Sequence, residues 1–298
     1  MSDTLWHKET EREFFRETLQ RGVKPEQLFY RTSDHRYLAY WPKSYQGTKA
    51  TLQSRNAFIG EFTERWVEHL LQPLADQIGA FAKRGVICSQ FGLTKRSPAD
   101  VAIVRKDQPT VDPEDFVLIV EVKMSIVWNW EYDPDQDRML CIGDLTTHEG
   151  TPGLLRSDTV LKAIGKSLNI RISDAKSVAI PIFVFGNTPL SQSYHTKVDL
   201  LKKFGIVQGF FSLNPRPLDD PAQSSLYNLK RTPSEGFLRI DSVEELYHKL
   251  RNVLSDEREF FASMISKAKL GKIIERAYRE PTDRQRAERF LQLLRETH

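Results

Sequence analysis

The amino-acid sequence predicts an α/β (α+β) fold, with a central mixed β-sheet flanked by helices and helical extensions at both ends. Three observations lead to this prediction. A long amphipathic helical pattern precedes a group of short β-branched segments. An apolar run then lies between two further helical patterns, and heavily charged helical patterns close the 298-residue chain.

The first part of the chain combines helical and irregular patterns. Apolar residues recur at helical spacing over 4–21, which predicts an amphipathic helix. The Tyr-rich stretch 29–50 holds many turn-forming residues and predicts an irregular segment or a short hairpin. A stronger helical pattern covers about 56–78, and Pro73 is expected to kink or end that helix.

Strand patterns follow this helix. Segments 85–92 and 99–106 are short and β-branched, and a turn-rich link leads to a third segment at 116–127. Their spacing predicts an antiparallel meander. The polar and aromatic stretch 128–156 predicts a long loop, of the kind that is often functional.

Helix and strand patterns then alternate. Ser157 or Asp158 is placed to cap a helix. The nearly continuous apolar run 177–187 is typical of a buried central strand. Another helix is expected to end at Gly205, because glycine favours the residue after a helix, and a further strand is expected over 206–214.

These patterns divide the chain into three predicted parts. Residues 1–55 form a helical and irregular extension, 56–215 form the core, and 216–298 form a C-terminal helical extension. The last part is heavily charged, with helical patterns over 241–264 and 266–296. The three parts are expected to pack as one globular unit.

Composition and charge indicate a cytoplasmic protein. The formal net charge of +3 permits a nucleic-acid partner without requiring one. Cys88 and Cys141 stand far apart, which predicts neither a disulfide framework nor a zinc site and favours a reducing compartment. The charged N-terminus is unlike a secretory signal, and the longest apolar runs are too short to cross a bilayer, so no membrane partner is expected.

The strand pattern at 116–123 ends in charged residues. Because side chains alternate along a strand, Glu121 and Lys123 share one face. A charge at the end of a buried strand is costly unless it is paired or bound to a metal. If the two neighbouring strands pair, Asp100 approaches Glu121, and two carboxylates beside an ammonium suit a hard cation such as Mg²⁺. The alternative is a surface hairpin with an ordinary salt bridge.

These residues resemble the motif of the PD-(D/E)XK nuclease superfamily, which includes most type II restriction endonucleases. The motif is a Pro-Asp pair, a spacer, and then Asp or Glu, any residue and Lys. Here it reads Pro98-Ala99-Asp100 followed by Glu121-Val122-Lys123, and the additional alanine is a departure from the pattern. The resemblance covers about 56–215 and implies a restriction-endonuclease-like core, in agreement with the predicted order of elements.

The resemblance also implies roles for the motif residues. Asp100, Glu121 and the carbonyl of Val122 would hold Mg²⁺, and Lys123 would position the attacking water. The family often adds an acidic residue from the preceding helix, in a Gly-x-x-x-Glu setting. Glu64 matches that setting, with Glu61 as second choice, and a solvated helix face is the alternative for Glu64.

Several residues near the motif are candidates for contacting DNA. Aromatic side chains can stack on bases, Asn can read adenine, and basic side chains can bind phosphates. Core packing is the alternative for one tryptophan, and a solvated helix face for the lysines. The candidates are Trp128, Asn129, Trp130, Arg156, Lys162 and Lys166.

No nucleotide cofactor is predicted. Gly165-Lys166-Ser167 resembles the end of a phosphate-binding loop, but position 160 is Val where such a loop requires Gly, and the glycine lies inside a predicted helix.

Together these observations predict a Mg²⁺-dependent type II restriction endonuclease that hydrolyses phosphodiester bonds in double-stranded DNA. A homodimer is expected, because palindromic targets mirror two-fold protein symmetry. The first alternative is a structure-specific repair or recombination nuclease of the same fold. The second is a non-catalytic module that binds DNA or a protein.

Overall fold

A computed structural model gives the fold of the chain as two compact units, Met1–Asp256 and Glu257–His298. The residues that the structure describes are 4–43, 45–47, 52–220, 227–255 and 267–296.

The elements of the first unit alternate between helices and strands along the chain. They are α1 (Lys8–Gln20), α2 (Pro25–Leu28), β1 (Tyr30–Arg31), β2 (Tyr37–Leu38), α3 (Gln53–Gln77), β3 (Phe81–Val86), β4 (Ala99–Val104), β5 (Phe116–Val122), β6 (Asn129–Asp133), β7 (Arg138–Gly143), α4 (Ser157–Ser173), β8 (Ile182–Gly186), α5 (His195–Lys203), β9 (Gly209–Ser212), β10 (Phe237–Arg239) and α6 (Val243–Ser255).

The central sheet confirms the predicted fold class. Its six strands lie in the order β10-β9-β8-β5-β4-β3. Strands β3, β4 and β5 form the predicted antiparallel meander, whereas β5, β8, β9 and β10 run parallel to one another. The sheet is therefore mixed, and β5 is the strand at which antiparallel pairing changes to parallel pairing.

Helices cover both faces of this sheet. On one face, Leu118 and Val120 of β5 pack in a hydrophobic cluster with Leu70 of α3. On the other face, Ile119 packs in a second cluster with Val160 of α4. The alternation of β5 thus supplies both clusters, and such two-sided burial explains its nearly continuous apolar sequence.

A second, smaller sheet occupies the stretch that was predicted as a loop. Its order is β1-β2-β6-β7, and β6 and β7 form an antiparallel hairpin. The loop prediction for 128–156 is therefore wrong over two strands. The β1–β2 pair confirms the short hairpin that was one of two expectations for 29–50.

Several element boundaries differ from the sequence expectations. Pro73 lies inside α3 and does not end it. Residues 216–255 are not purely helical, because β10 belongs to this range and pairs with β9 at the edge of the central sheet. No helix among the described residues is long and apolar enough to cross a membrane.

The second unit contains α7 (Lys267–Ala277) and α8 (Asp283–Arg295). The side chain of Thr282 caps α8 by accepting a hydrogen bond from the backbone N–H of Gln285. A small apolar cluster holds the two helices together; it contains Ile273, Ala277, Leu293 and Leu294.

Candidate active site

Strand pairing brings Asp100 and Glu121 together. Val101 of β4 lies opposite Val120 of β5 in the antiparallel register, so Asp100 and Glu121 are the next pair along the ladder. The backbone N–H of Val122 donates a hydrogen bond of 2.8 Å to Oδ2 of Asp100. The two carboxylates are therefore held in place by the backbone of the central strands.

Two lysines neutralise this acid pair. Lys123 Nζ lies 2.5 Å from Oε1 of Glu121 and 3.3 Å from Oδ2 of Asp100. Lys166 of α4 lies 2.5 Å from Oδ1 of Asp100 and 2.7 Å from Oε2 of Glu121. Asp100, Glu121, Lys123 and Lys166 are called the acid–lysine cluster below, and its formal charge is zero.

The acid–lysine cluster is largely removed from water. Only 6% of the Glu121 side chain and 14% of the Asp100 side chain are exposed. Burial and the Asp100 charge raise the pKa of Glu121. Burial also disfavours ionised Asp100, but Lys123 and Lys166 outweigh it and hold the pKa of Asp100 below its usual range.

Glu64 on α3 is the third carboxylate of the region. Burial, and then the negative charge of Asp100, raise the pKa of Glu64 to about 7, against the opposing effect of Lys166 and Lys123. Glu61, the second choice, is exposed and lies 3.7 Å from Arg21 of α1. Of the two residues, Glu64 is therefore the one that senses the charges of the cluster.

The residues that directly follow the motif strand are buried. Trp128 and Trp130 are at most 1% exposed, and Asn129 is 3% exposed. The side chain of Asn129 accepts a hydrogen bond from the backbone N–H of Tyr40. All three side chains are structural in this fold and offer no surface to DNA, which corrects their assignment as DNA-contacting residues.

The basic candidates on α4 divide into two groups. Arg156 and Lys162 are exposed and both face Asp158, with Lys162 Nζ at 3.7 Å from the carboxylate. Arg156 is itself the N-cap residue, so neither Ser157 nor Asp158 takes that position. Lys166, one turn beyond Lys162, is turned inward to the acid pair and belongs to the site rather than to a DNA-facing surface.

The oxygens of this region fit a hard cation in kind. Carboxylate oxygens from Asp100 and Glu121 meet at one point, and the Val122 carbonyl accepts a hydrogen bond from Lys123 Nζ at 3.0 Å, so it too faces this point. Mg²⁺ prefers such oxygen ligands and retains several waters. In the described part of the chain, no three His, Cys, Asp or Glu side chains are already arranged around a shared metal position.

The sequence interpretation missed a second buried carboxylate, that of Glu11 on α1. It accepts hydrogen bonds from the backbone N–H groups of Val127 and Trp128 and from the indole N–H groups of Trp6 and Trp130, at 2.8 to 3.3 Å. This Glu11 cluster anchors the chain just beyond the motif strand. A signal was available, because Glu11 lies on the same helical stripe as the apolar Phe14, Phe15 and Thr18.

Comparisons of the chain with protein-family models, with curated proteins and with solved structures found no match.

Proposed function

We propose that the chain is a Mg²⁺-dependent endodeoxyribonuclease of the type II restriction class. The observation that carries the proposal is the pairing of Asp100 with Glu121 across β4 and β5, with Lys123 on the same face and within reach of both. Two carboxylates and an ammonium in this arrangement supply both a hard-cation site and a group that can orient water.

Each residue has a role in this proposal. Asp100, Glu121 and the Val122 carbonyl hold Mg²⁺, which when bound polarises a phosphate and acidifies water. Lys123 orients the attacking water, since its ammonium already lies beside both carboxylates. Glu64, whose pKa is raised to about 7, is able to take up or release a proton at neutral pH near the site.

Double-stranded DNA is the proposed substrate, and a homodimer is the proposed assembly. The exposed basic side chains of Arg156 and Lys162 lie on the first turns of α4, the helix that also supplies Lys166 to the acid–lysine cluster. Phosphates bind well at such positions, because cationic side chains and helix N-termini both attract anions.

The acid–lysine cluster itself supports a second candidate function. Its four charges are already mutually paired, as they would be in a purely structural ion-pair cluster. A module that binds DNA without cutting it would need no further chemistry there. Activity assays separate the two candidates.

The test is a plasmid digest with the purified full chain, in Mg²⁺ and in EDTA, beside Lys123→Ala. We expect discrete fragments that require Mg²⁺, and a rate that falls on the order of 10²- to 10⁴-fold in the variant. Lys83→Ala is the matched control, because Lys83 forms an ion pair with Asp107 on β3, away from the motif.

Each remaining outcome selects an alternative. A smear in place of discrete fragments would favour the structure-specific nuclease. Intact plasmid together with retained DNA binding would favour the non-catalytic module.

A further inference from the structure

The two lysines of the acid–lysine cluster share the carboxylate oxygens equally. Lys123 binds Oδ2 of Asp100 and Oε1 of Glu121, whereas Lys166 binds Oδ1 of Asp100 and Oε2 of Glu121. Lys166 Nζ therefore bridges one oxygen from each strand, at 2.5 and 2.7 Å. A cation that is shared by two carboxylates takes the same bridging position.

The two lysines differ in how they are held. Lys123 directly follows β5, and its ammonium also donates to the Val122 carbonyl. Lys166 comes from the middle of α4, on the layer above the sheet, and reaches the carboxylates through a flexible four-carbon stem. Its side chain is 18% exposed, so the ammonium has a path to water.

We propose that Lys166 is a displaceable counter-ion that occupies the cation position of the acid pair and competes with the divalent metal for it. The inference rests on the proposed function, since it assumes that Asp100 and Glu121 bind a metal. It assigns Lys166 a role in setting metal affinity, rather than in contacting the DNA backbone.

The physical reason is the cost of leaving two carboxylates unpaired. Two buried like charges at this distance destabilise the fold unless a cation lies between them. Lys166 supplies that cation when no metal is bound, so the site is stable in both states. The measured metal affinity is then the difference between the metal's attraction to the pair and that of the ammonium, and removing the ammonium raises it.

The test measures metal binding without DNA. The full chain, Lys166→Met and Lys162→Met are titrated with Mn²⁺, and free Mn²⁺ is followed by electron paramagnetic resonance. We expect Lys166→Met to bind Mn²⁺ at least about 10-fold more tightly than the wild type, the lower end of what a change beside a metal ligand produces. Lys162→Met, one turn away and exposed, should bind as the wild type does.

A thermal measurement gives a second readout. In EDTA, Lys166→Met should melt at a lower temperature than the wild type, and excess Mn²⁺ should remove that difference. If Lys166→Met does not fold, Lys166→Gln keeps a polar side chain without the charge and should also bind Mn²⁺ more tightly than the wild type.

Three results would overturn the inference, and they bear differently on the proposed function. Equal or weaker Mn²⁺ binding by the folded variants, with Mn²⁺ bound by the wild type, would remove competition and leave the nuclease proposal intact. Tighter binding by Lys162→Met as well would show a general charge effect. An absence of Mn²⁺ binding in every protein would overturn both proposals.

Discussion

Two buried carboxylate sites in the first unit are stabilised in different ways. Glu11 is satisfied entirely by N–H groups: two from the backbone and two from tryptophan indoles. Asp100 and Glu121 are satisfied mainly by ammonium groups on long side chains. Both solutions meet the requirement that buried charge be hydrogen-bonded or paired.

The difference lies in what each site can exchange. The donors to Glu11 are fixed in the backbone and in packed rings, so they cannot leave without unfolding their surroundings. Ammonium groups can move away on flexible stems and be replaced by another cation. Burial of a carboxylate is therefore not by itself a sign of function; the mobility of its partners distinguishes a ligand site from a structural anchor.

The largest expected effect comes from breaking the anchor. Glu11→Ala leaves four buried N–H groups without an acceptor, and we expect the free energy of unfolding to fall by about 3–5 kcal/mol. Urea denaturation of the full chain measures this change.

Glu9→Ala is the control for this measurement, because Glu9 is an exposed residue of the same helix that pairs with Arg12. Its effect should stay within about 0.5 kcal/mol. A loss of less than about 1 kcal/mol in Glu11→Ala would show that the four N–H groups find other acceptors, and that Glu11 is not an anchor.

Asp100→Asn should separate stability from activity. Each lysine retains Glu121 as a partner, so we expect a loss of only about 1–2 kcal/mol in unfolding free energy. Cleavage should fall more than about 100-fold, since even changes beside a metal ligand cost 10- to 100-fold. Urea denaturation and the plasmid digest give the two numbers; a stability loss equal to that of Glu11→Ala would remove the contrast between the sites.

The smallest effect is expected from Glu64, and it depends on pH. The pKa of Glu64 is about 7 in the folded chain, above its unfolded value, so the folded state loses stability as pH rises from about 4.5 to about 7. Gln cannot ionise, and Glu64→Gln should therefore unfold with a higher free energy than the wild type at pH 8, by about 1 kcal/mol after allowance for its partial exposure. At pH 5 most of this gain should be absent.

Urea denaturation at both pH values gives the comparison. Glu61→Gln, three residues earlier and exposed, should show no such pH-dependent gain. A gain in Glu64→Gln that is the same at pH 5 and pH 8 would show that ionisation of Glu64 is not its cause.

The sequence was sufficient to place the paired carboxylates. Alternation along β5 puts Glu121 and Lys123 on one face, and the short link between strands predicts the antiparallel pairing that brings in Asp100. These are local relations within a meander. The order of elements in the central sheet could be predicted for the same reason.

The contacts that depend on tertiary packing were not accessible in this way. Helical periodicity puts Lys162 and Lys166 one turn apart but does not say which side of α4 faces the sheet, so the inward position of Lys166 was missed. The β6–β7 hairpin was missed because β7 alternates between exposed and half-buried residues and has no apolar run. β10 has only three residues and pairs with a strand that is distant in sequence.

The change of pairing at β5 also has a consequence for the order in which the site is assembled. The hydrogen bond between Val122 and Asp100 spans 22 residues, whereas the contact between Lys166 and Asp100 spans 66. Closing the longer loop costs about 1 kcal/mol more in chain entropy. The hairpin that carries both acids is thus the cheaper part to form, and it carries Lys123 with it, so the acids have a neutralising partner before the crossover helix docks.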